Sequence, residues 1–224
     1  MILPYARTVD IDILMSKLSK ELILYGHLPL MNKMNREGEY AYRILISTVL
    51  SSRTKDGVTA EAAERLFAQA PSPEELSQLP EEEIERLIYP VGFYRVKSKN
   101  IKKIAKLLVE RYNGRAPKNL NELIQLPGVG RKTANLVLGI VYNIDSITVD
   151  THVHRISNRI GLIQTRIPRE TEQDLQIILP KKHWISYNKY LVAHGQIICK
   201  PISPICSKCK INNYCQRVGV KKSR

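Results

Sequence analysis

The sequence predicts an all-α fold with short connections between its helices. Apolar residues recur at helical spacing along much of the chain, and helix start signals precede several of these segments. Only residues 146–149 are typical of a strand, and so short a strand builds no sheet by itself. The 224 residues are 43% hydrophobic, which is enough for a packed core in one large or two small domains.

The positions of apolar residues predict where three helices lie. Residues 42–50 and 134–141 are more uniformly apolar than the other helical segments, which predicts buried helices. Residues 101–112 instead alternate lysines with a single apolar stripe, which predicts a helix with one buried face. The members of that stripe are Ile101, Ile104, Ala105, Leu108, Val109 and Tyr112.

Capping residues mark the starts of two further helices. Ser72 is followed directly by a proline and, three residues after the serine, by Glu75, which is the pattern of a capping box. Asn119 and Glu122 repeat that spacing before the next apolar residue. Both segments therefore predict helices whose first N–H groups are satisfied by a side chain.

The chain is strongly basic. Its 35 lysines and arginines against 21 acids give a net charge of +14 and a pI near 9.7. No acidic residue follows Asp174, whereas ten lysines and arginines do. This predicts a polyanionic partner, nucleic acid before anionic membrane. The sequence has no signal peptide and no run of about 18 apolar residues, so we expect an intracellular protein of the cytoplasm or nucleoid, without membrane attachment.

All four cysteines lie near the carboxyl terminus, with the spacing Cys199-x6-Cys206-x2-Cys209-x5-Cys215. Disulfides between such close neighbours would close short loops and stabilise little. Zinc held by four thiolates is the stronger alternative, although zinc motifs usually combine two CxxC pairs. A single CxxC with unequal flanking gaps favours a [4Fe–4S] cluster, which would fold the basic tail without implying redox catalysis.

The segment LPGVGRKTA, residues 126–134, lies between two predicted helices. Pro127 is expected to end the first helix, while Gly128 and Gly130 permit positive φ angles and the close approach of another backbone. A second helix beginning near Arg131 would direct free N–H groups and its positive end outward, which suits a phosphate oxygen. An ordinary helix–turn–helix connection explains the glycines equally well.

Lys132 favours the phosphate-binding interpretation of this hairpin. A lysine in the first turn of a helix is disfavoured by the helix dipole. That field and partial burial are expected to favour its neutral amine, the form that can attack a sugar carbon. The alternative is a solvated surface lysine.

Asp150 lies in the segment VDTH, residues 149–152, and is expected to cap a helix that ends near Gly161. The functional alternative is a carboxylate that stabilises positive charge developing on a deoxyribose. The two roles are compatible, because capping would fix the orientation of the side chain. His152 and His154 are two residues apart and should point to different helix faces, so we expect no metal pair there.

Together these segments resemble the endonuclease III family of helix-hairpin-helix DNA glycosylases, from about residue 40 to residue 215. LPGVGRKTA is similar to the family's hairpin, with Lys132 at the catalytic lysine. VDTH is similar to its aspartate segment, with Asp150 at the catalytic carboxylate. The cysteine array is similar to its [4Fe–4S] loop, whose ligands here would be Cys199, Cys206, Cys209 and Cys215.

The resemblance implies an all-α fold of two lobes with DNA crossing between them. One lobe would hold residues 35–144 with the helix-hairpin-helix, and the other residues 1–34 and 145–224 with the cluster loop. It also implies that a damaged base is flipped out of the duplex before Lys132 attacks its sugar and β-elimination nicks the strand. It places the following residues on the DNA-binding surface: Gly128, Val129, Gly130, Thr133, His152, Arg53 and Phe93.

Two of those positions have structural alternatives. Residues 50–56 resemble the family segment that fills the gap left by the flipped base, with Arg53 where many members have glutamine. A phosphate-binding or surface arginine is the alternative. Residues 92–94 resemble a wedge loop whose apolar residue, Phe93, enters the duplex, and a core phenylalanine is the alternative. Trp184 is assigned to packing.

Three functions compete for this sequence. The first is a bifunctional glycosylase and lyase for oxidised pyrimidines such as thymine glycol, acting on duplex DNA with damaged bases or abasic sites. The second is a mismatch or uracil glycosylase on the same scaffold, and Lys132 argues against its strictly monofunctional form. The third is a non-catalytic DNA-binding protein with a structural cluster, which gives no reason for Lys132 and Asp150 together. We expect a monomer.

Overall fold

The computed structural model describes residues 9–24 and 39–224, and within these ranges the chain forms α-helices and short 3-10 helices with no strand. The all-α prediction is therefore confirmed. The described residues divide into two compact units, one of residues 39–144 and one of residues 9–24 with 145–224. The lobe boundary expected between residues 34 and 35 lies outside the described residues.

The unit of residues 39–144 is built around one apolar core. Its longest helix packs against the two short acidic helices that precede it, and its first helix packs against the next one and the last one. The helices are α2 (Glu39–Ser51), α3 (Asp56–Gln69), α4 (Pro73–Gln78), α5 (Glu81–Ile88), α6 (Tyr94–Tyr112), α7 (Leu120–Leu123) and α8 (Arg131–Tyr142).

The apolar stripe predicted on α6 is confirmed for its central members, because Ile101, Ile104, Ala105 and Leu108 are fully buried. Val109 is 36% exposed, so its predicted burial was wrong. It follows Leu108 directly, and one residue turns a helix by about 100°, which carries its side chain to the edge of the buried face.

The unit of residues 9–24 and 145–224 has its own core, in which α11 packs against α1 and α9. Trp184 packs against this core and donates its indole N–H to the Leu179 carbonyl at 2.9 Å, so its assignment to packing is confirmed. The helices are α1 (Ile11–Leu24), α9 (Thr151–Ile160), α10 (Pro168–Ile178) and α11 (Trp184–Ile197), with 3-10 turns at Lys181–His183, Cys206–Lys208 and Asn212–Tyr214.

Both predicted helix caps are present. The Ser72 hydroxyl accepts the N–H of Glu75 at 3.3 Å, and a Glu75 carboxylate oxygen accepts the N–H of Ser72 at 2.9 Å, which completes a capping box. Asn119 accepts the N–H of Glu122 at 2.9 Å and starts α7. These local bonds set where the helices before the hairpin begin.

Residues 146–149 are buried but form no strand in the described chain. The Asn188 side chain donates to the Thr148 carbonyl at 3.1 Å. A side chain therefore supplies the hydrogen bond that a neighbouring strand would give this carbonyl in a sheet. This buried segment leads directly into Asp150. Among residues 9–24 and 39–224, no helix has both the length and the apolar character needed to cross a bilayer.

Candidate active site and nucleic-acid interface

The turn before α8 is tighter than the sequence predicted. α7 ends at Leu123, so the expectation that Pro127 ends this helix was wrong by several residues. At Gln125 and Leu126 the backbone bonds span three residues, as in a 3-10 helix, and no longer four. The N–H of Gln125 donates to the Glu122 carbonyl and the N–H of Leu126 to the Leu123 carbonyl, each at 3.1 Å. Such bonds tighten the chain before the proline.

The two hairpin glycines serve different purposes. Gly128 has a φ of +75°, as predicted, and a Cβ there would lie 2.7 Å from the Asn100 side-chain nitrogen. Gly130 has a φ of −93°, so it does not use the positive φ that glycine permits. A Cβ on Gly130 would have nothing within 4 Å in the described structure, which leaves its backbone open to a partner from outside.

The amino terminus of α8 carries the catalytic candidate. The first helical hydrogen bond is donated by Ala134 to the Gly130 carbonyl at 2.9 Å, and Gly130 has no side chain to cap earlier N–H groups. Lys132 is exposed in this first turn, so its expected partial burial was wrong. Thr133 beside it is half-buried. A helix end of this kind attracts anions such as phosphate.

Val129 is held more firmly than its neighbours in the hairpin. Its side chain is buried, and its N–H donates to the Leu126 carbonyl at 3.1 Å. Val129 therefore supports the turn, because both its side chain and its N–H are engaged within the unit.

Asp150 is the N-cap of α9, as predicted. A single carboxylate oxygen, Oδ1, accepts the N–H of His152 at 2.9 Å and the N–H of Val153 at 2.8 Å. The helix ends at Gly161, whose φ of +85° gives the predicted left-handed cap. The two N–H bonds fix the orientation of a half-buried carboxylate, which is the arrangement that an electrostatic role requires.

His152 packs within its own unit. Its ring nitrogen Nδ1 lies 3.1 Å from the Arg155 guanidinium, and a Cβ on Gly195 would come within 2.2 Å of that nitrogen. Arg155 also donates to the Cys199 carbonyl at 2.8 Å. His154 instead lies 2.7 Å from the Thr171 hydroxyl, so the two histidines do point in different directions.

Arg53 and Phe93 lie together on the surface of their unit. We name their segments the arginine loop, residues 51–55, and the phenylalanine loop, residues 90–93. The Arg53 guanidinium lies 5.6 Å from the centre of the Phe93 ring, within the range of a cation–π contact. Phe93 is 61% exposed, so the alternative of a core phenylalanine is wrong. Both residues have positive φ, +52° and +58°, which is strained for residues with a side chain.

The four cysteines all face one cavity. Their thiols are free, which contradicts the disulfide alternative. The remaining wall is mainly apolar and includes Ile156, Ile160, Ile198, Pro204, Ile211 and Val220. In the described residues, no group of three or more histidine, cysteine, aspartate or glutamate side chains forms a site for a single metal ion.

Polar donors surround the cysteine sulfurs. Arg159 donates to the Cys199 sulfur at 3.5 Å, and the backbone N–H of Arg217 donates to the Cys215 sulfur at 3.3 Å. Burial opposes ionisation of Cys199, but hydrogen bonds from His194 and Arg159 outweigh it and lower the pKa of this thiol. Burial raises the pKa of the Cys215 thiol. Four sulfurs, apolar walls and N–H donors fit a group held by four thiolates.

A buried acid–base pair supports this cavity and was not foreseen. His194 and Glu21 are hydrogen-bonded, only 3% and 4% exposed respectively, and His194 Nε2 lies 3.8 Å from the Cys209 sulfur. Burial alone would lower the pKa of His194, but the sulfurs of Cys199 and Cys209 and the Glu21 carboxylate raise it well above its ordinary value. The contacts with the cysteine sulfurs therefore come from Arg159, from the backbone N–H of Arg217 and from His194.

Residues 46–181 match the family model described as HhH-GPD superfamily base excision DNA repair protein. This segment contains both the hairpin with Lys132 and the aspartate segment with Asp150. The chain belongs to this family. The recognition made from the hairpin, the aspartate segment and the cysteines is therefore confirmed.

Curated relatives of this HhH-GPD protein include "Endonuclease III" of Thermotoga maritima, 47% identical over 78% of this chain and 82% of the relative. "Endonuclease III homolog 2, chloroplastic" of Arabidopsis thaliana is 45% identical over 79% of this chain, which spans only 48% of that longer protein. The solved "Structure of a Trapped Endonuclease III-DNA Covalent Intermediate: Estranged-Adenine Complex" is 32% identical, with a TM-score of 0.81 over 94% of this chain and 97% of that chain.

These matches confirm the helix-hairpin-helix glycosylase fold and the general function of this HhH-GPD protein. It is a DNA glycosylase and lyase of base excision repair, and DNA is its partner. The non-catalytic alternative is therefore wrong.

Proposed function

We propose that this protein removes oxidised pyrimidines from duplex DNA and nicks the strand through a lysine imine. The observation that carries the proposal is the exposed Lys132 in the first turn of α8, directly after a glycine hairpin whose backbone is open. A phosphate bound at this helix end would bring the neighbouring sugar to the amine.

Lys132 acts as the nucleophile in this proposal. Its neutral amine attacks the sugar C1′, the bond from C1′ to the damaged base breaks, and the base leaves with a proton. Loss of the amine protons and opening of the sugar ring give an imine between Nζ and C1′. Removal of a C2′ proton then expels the 3′ phosphate by β-elimination, and water releases the enzyme by hydrolysing the imine.

Asp150 supplies electrostatic stabilisation. Its carboxylate would favour the positive charge that develops on the sugar as the base departs. Because the two bonds from α9 hold the carboxylate in place before substrate arrives, it needs little reorganisation during the reaction. Capping and catalysis therefore use the same side chain.

Replacing Asp150 separates its two roles. Asn is also a good N-cap, so Asp150→Asn should leave the free energy of unfolding nearly unchanged while lowering the excision rate about 10²- to 10³-fold. Asp150→Ala should lose a similar factor in rate and also about 0.5–2 kcal/mol of stability. Single-turnover excision and denaturant unfolding of both variants measure the two effects. A fully active Asp150→Asn would contradict the electrostatic role.

Arg53 and Phe93 are proposed to enter the duplex where the damaged base leaves it. The pair is exposed, and a planar guanidinium beside an aromatic ring can stack with bases and bond the edge of the orphaned partner. Gly128, Gly130 and Thr133 would hold phosphates at the hairpin, whose turn Val129 supports. His152 would contribute from the start of α9.

The lesion class is tested by comparing substrates. Single-turnover excision should be fastest on a thymine glycol duplex and at least about tenfold slower on uracil and G·T mismatch duplexes. Arg53, which stands where glutamine is common in the family, makes a mismatch or uracil glycosylase the second candidate. A faster reaction on uracil or the mismatch would select that candidate and reject the oxidised-pyrimidine proposal.

We propose that Cys199, Cys206, Cys209 and Cys215 hold a [4Fe–4S] cluster. When bound, the cluster links the tail through four thiolate bonds and adds a compact negative charge. The donors from Arg159, Arg217 and His194 would offset that charge. We also propose a monomer that works at the nucleoid, since a glycosylase acts on one lesion at a time.

A further inference from the structure

A buried lysine, Lys97, forms hydrogen bonds with both the end of α2 and the arginine loop. Lys97, at the start of α6, is only 6% exposed. Its Nζ donates to the Leu50 carbonyl at 2.8 Å, the Ser52 carbonyl at 2.5 Å and the Thr54 hydroxyl at 3.1 Å. An ammonium has three N–H donors, and these three acceptors use all of them.

The same network reaches the phenylalanine loop. The Thr54 hydroxyl that accepts from Lys97 also accepts the N–H of Gly92 at 3.2 Å. The two loops touch at this point, since a Cβ on Gly92 would lie 2.7 Å from the Arg53 carbonyl oxygen. The N–H of Lys97 also donates to the Phe93 carbonyl at 3.0 Å. Lys97 therefore contacts both the arginine loop, which carries Arg53, and the phenylalanine loop, which carries Phe93.

The exposed pair needs such support. Arg53 and Phe93 both hold positive φ angles, and residues in that region stay there only when their surroundings fix them. The Lys97 ammonium also lies at the carboxyl end of α2, where the helix dipole favours a positive charge. Burial lowers the pKa of Lys97 to about 8, so most of this amine is charged at neutral pH.

We infer that Lys97 is a positioning residue for base flipping, which fixes the arginine loop and the phenylalanine loop so that Arg53 and Phe93 enter the duplex as one preformed unit. The inference rests on the DNA role proposed above for those two residues. Lys97 itself touches no substrate in this account and acts only through the loops that it joins.

The test uses a duplex that contains a stable abasic analogue opposite 2-aminopurine, whose fluorescence rises when its stacking is disturbed. At saturating wild-type protein the fluorescence should rise, because Arg53 and Phe93 enter the stack. Lys97→Met should reduce that rise at least about threefold at saturation, and slow single-turnover excision of thymine glycol about tenfold or more.

A lysine on the same helix provides the matched control. Lys102 also donates from α6 to a backbone carbonyl, that of Leu79 at 2.6 Å, but on the side of α4. Lys102→Met should keep the wild-type fluorescence rise and excision rate within about twofold. Thermal melting of both lysine variants shows whether either one loses folded protein.

A double-mutant cycle shows whether Lys97 acts through the wedge. Phe93→Ala should reduce the fluorescence rise. In the Phe93→Ala background, Lys97→Met should lower the rise by less than about half of what it does in the wild-type background. If Phe93→Ala loses the signal but Lys97→Met keeps it, the inference about Lys97 is overturned while the proposed function stands. If Phe93→Ala behaves as wild type, the proposed DNA role of Phe93 fails, and the Lys97 inference fails with it.

Thr54→Val is the second variant if Lys97→Met does not fold. It removes the hydroxyl that joins the two loops and leaves the Leu50 and Ser52 carbonyls bonded to Lys97. Its fluorescence rise should fall about twofold, and its melting temperature should fall less than that of Lys97→Met, which leaves three acceptors without their donor. A wild-type fluorescence response from folded Thr54→Val would overturn the inference.

Discussion

Lys132→Gln should bind lesion-containing DNA with nearly wild-type affinity but lose base excision and strand cleavage by at least about 10³-fold. Glutamine keeps most of the length of the side chain and has no basic amine, so only the nucleophile is removed. The substitution also takes a positive charge away from the start of α8, where the helix dipole disfavours one, so stability should not fall. Single-turnover cleavage of a thymine glycol duplex measures the loss, and fluorescence anisotropy measures binding.

Lys106→Gln is the matched control for this loss. Lys106 is an exposed lysine of the same unit, on α6, and its replacement removes the same charge. It should excise and cleave within about twofold of the wild type. Strand cleavage by Lys132→Gln at more than a few per cent of the wild-type rate would mean that another group is the nucleophile.

Cys209→Ser should lose the brown absorbance of the purified protein and more than about 4 kcal/mol of the stability of the unit that contains the tail. Cys209 lines the same cavity as the other three cysteines, and its sulfur lies 3.8 Å from the buried His194. Without the bonds of the cluster, the basic tail would be held by its short 3-10 turns, the buried Ile211 and a few backbone bonds, such as that from Gln216 to the Ile160 carbonyl. Visible absorbance, iron content and denaturant unfolding, all measured without oxygen, test this expectation.

Ser207→Ala is the control in the same loop. Ser207 is exposed between Cys206 and Cys209, so this variant should keep the colour, the iron content and the stability of the wild type. A colourless wild type that contains zinc would overturn the cluster assignment and leave the four-cysteine site as a zinc site.

Much of this fold follows from local patterns in the sequence. The capping box at Ser72, the N-cap at Asp150 and the left-handed cap at Gly161 each depend on a few neighbouring residues, and all three are present. Lys132 and Asp150 could be singled out for the same reason, because each stands at a helix start that local spacing marks. The four cysteines are close in sequence, so their common site was predictable as well.

Features that depend on distant contacts could not be predicted in the same way. The bond between Glu21 and His194 joins residues that are 173 positions apart, and neither lies in a recognisable motif. Lys97 gave a weak signal, since it stands four residues before Ile101 and so falls on the buried stripe of α6. A lysine in such a stripe indicates a buried amine with partners, but its partners lie 43 to 47 residues away.

Residue type alone does not show which residues adopt a positive φ. Gly130 is free to adopt one, yet it lies in the extended region, and the open space around it is what the glycine provides. Arg53 and Phe93 carry the positive φ angles instead, although neither residue type favours them. Tertiary contacts, here those of Lys97 and Thr54, decide such positions.

Borohydride trapping tests the central claim most directly, because reduction of the imine joins enzyme and DNA covalently. Wild type and Lys132→Gln are each incubated with borohydride and duplexes that contain thymine glycol, uracil or an abasic site. We expect a covalent adduct of the wild type with the thymine glycol and abasic duplexes, and none with Lys132→Gln. An equally abundant adduct with Lys132→Gln, or no wild-type adduct on any duplex despite tight binding, would contradict it.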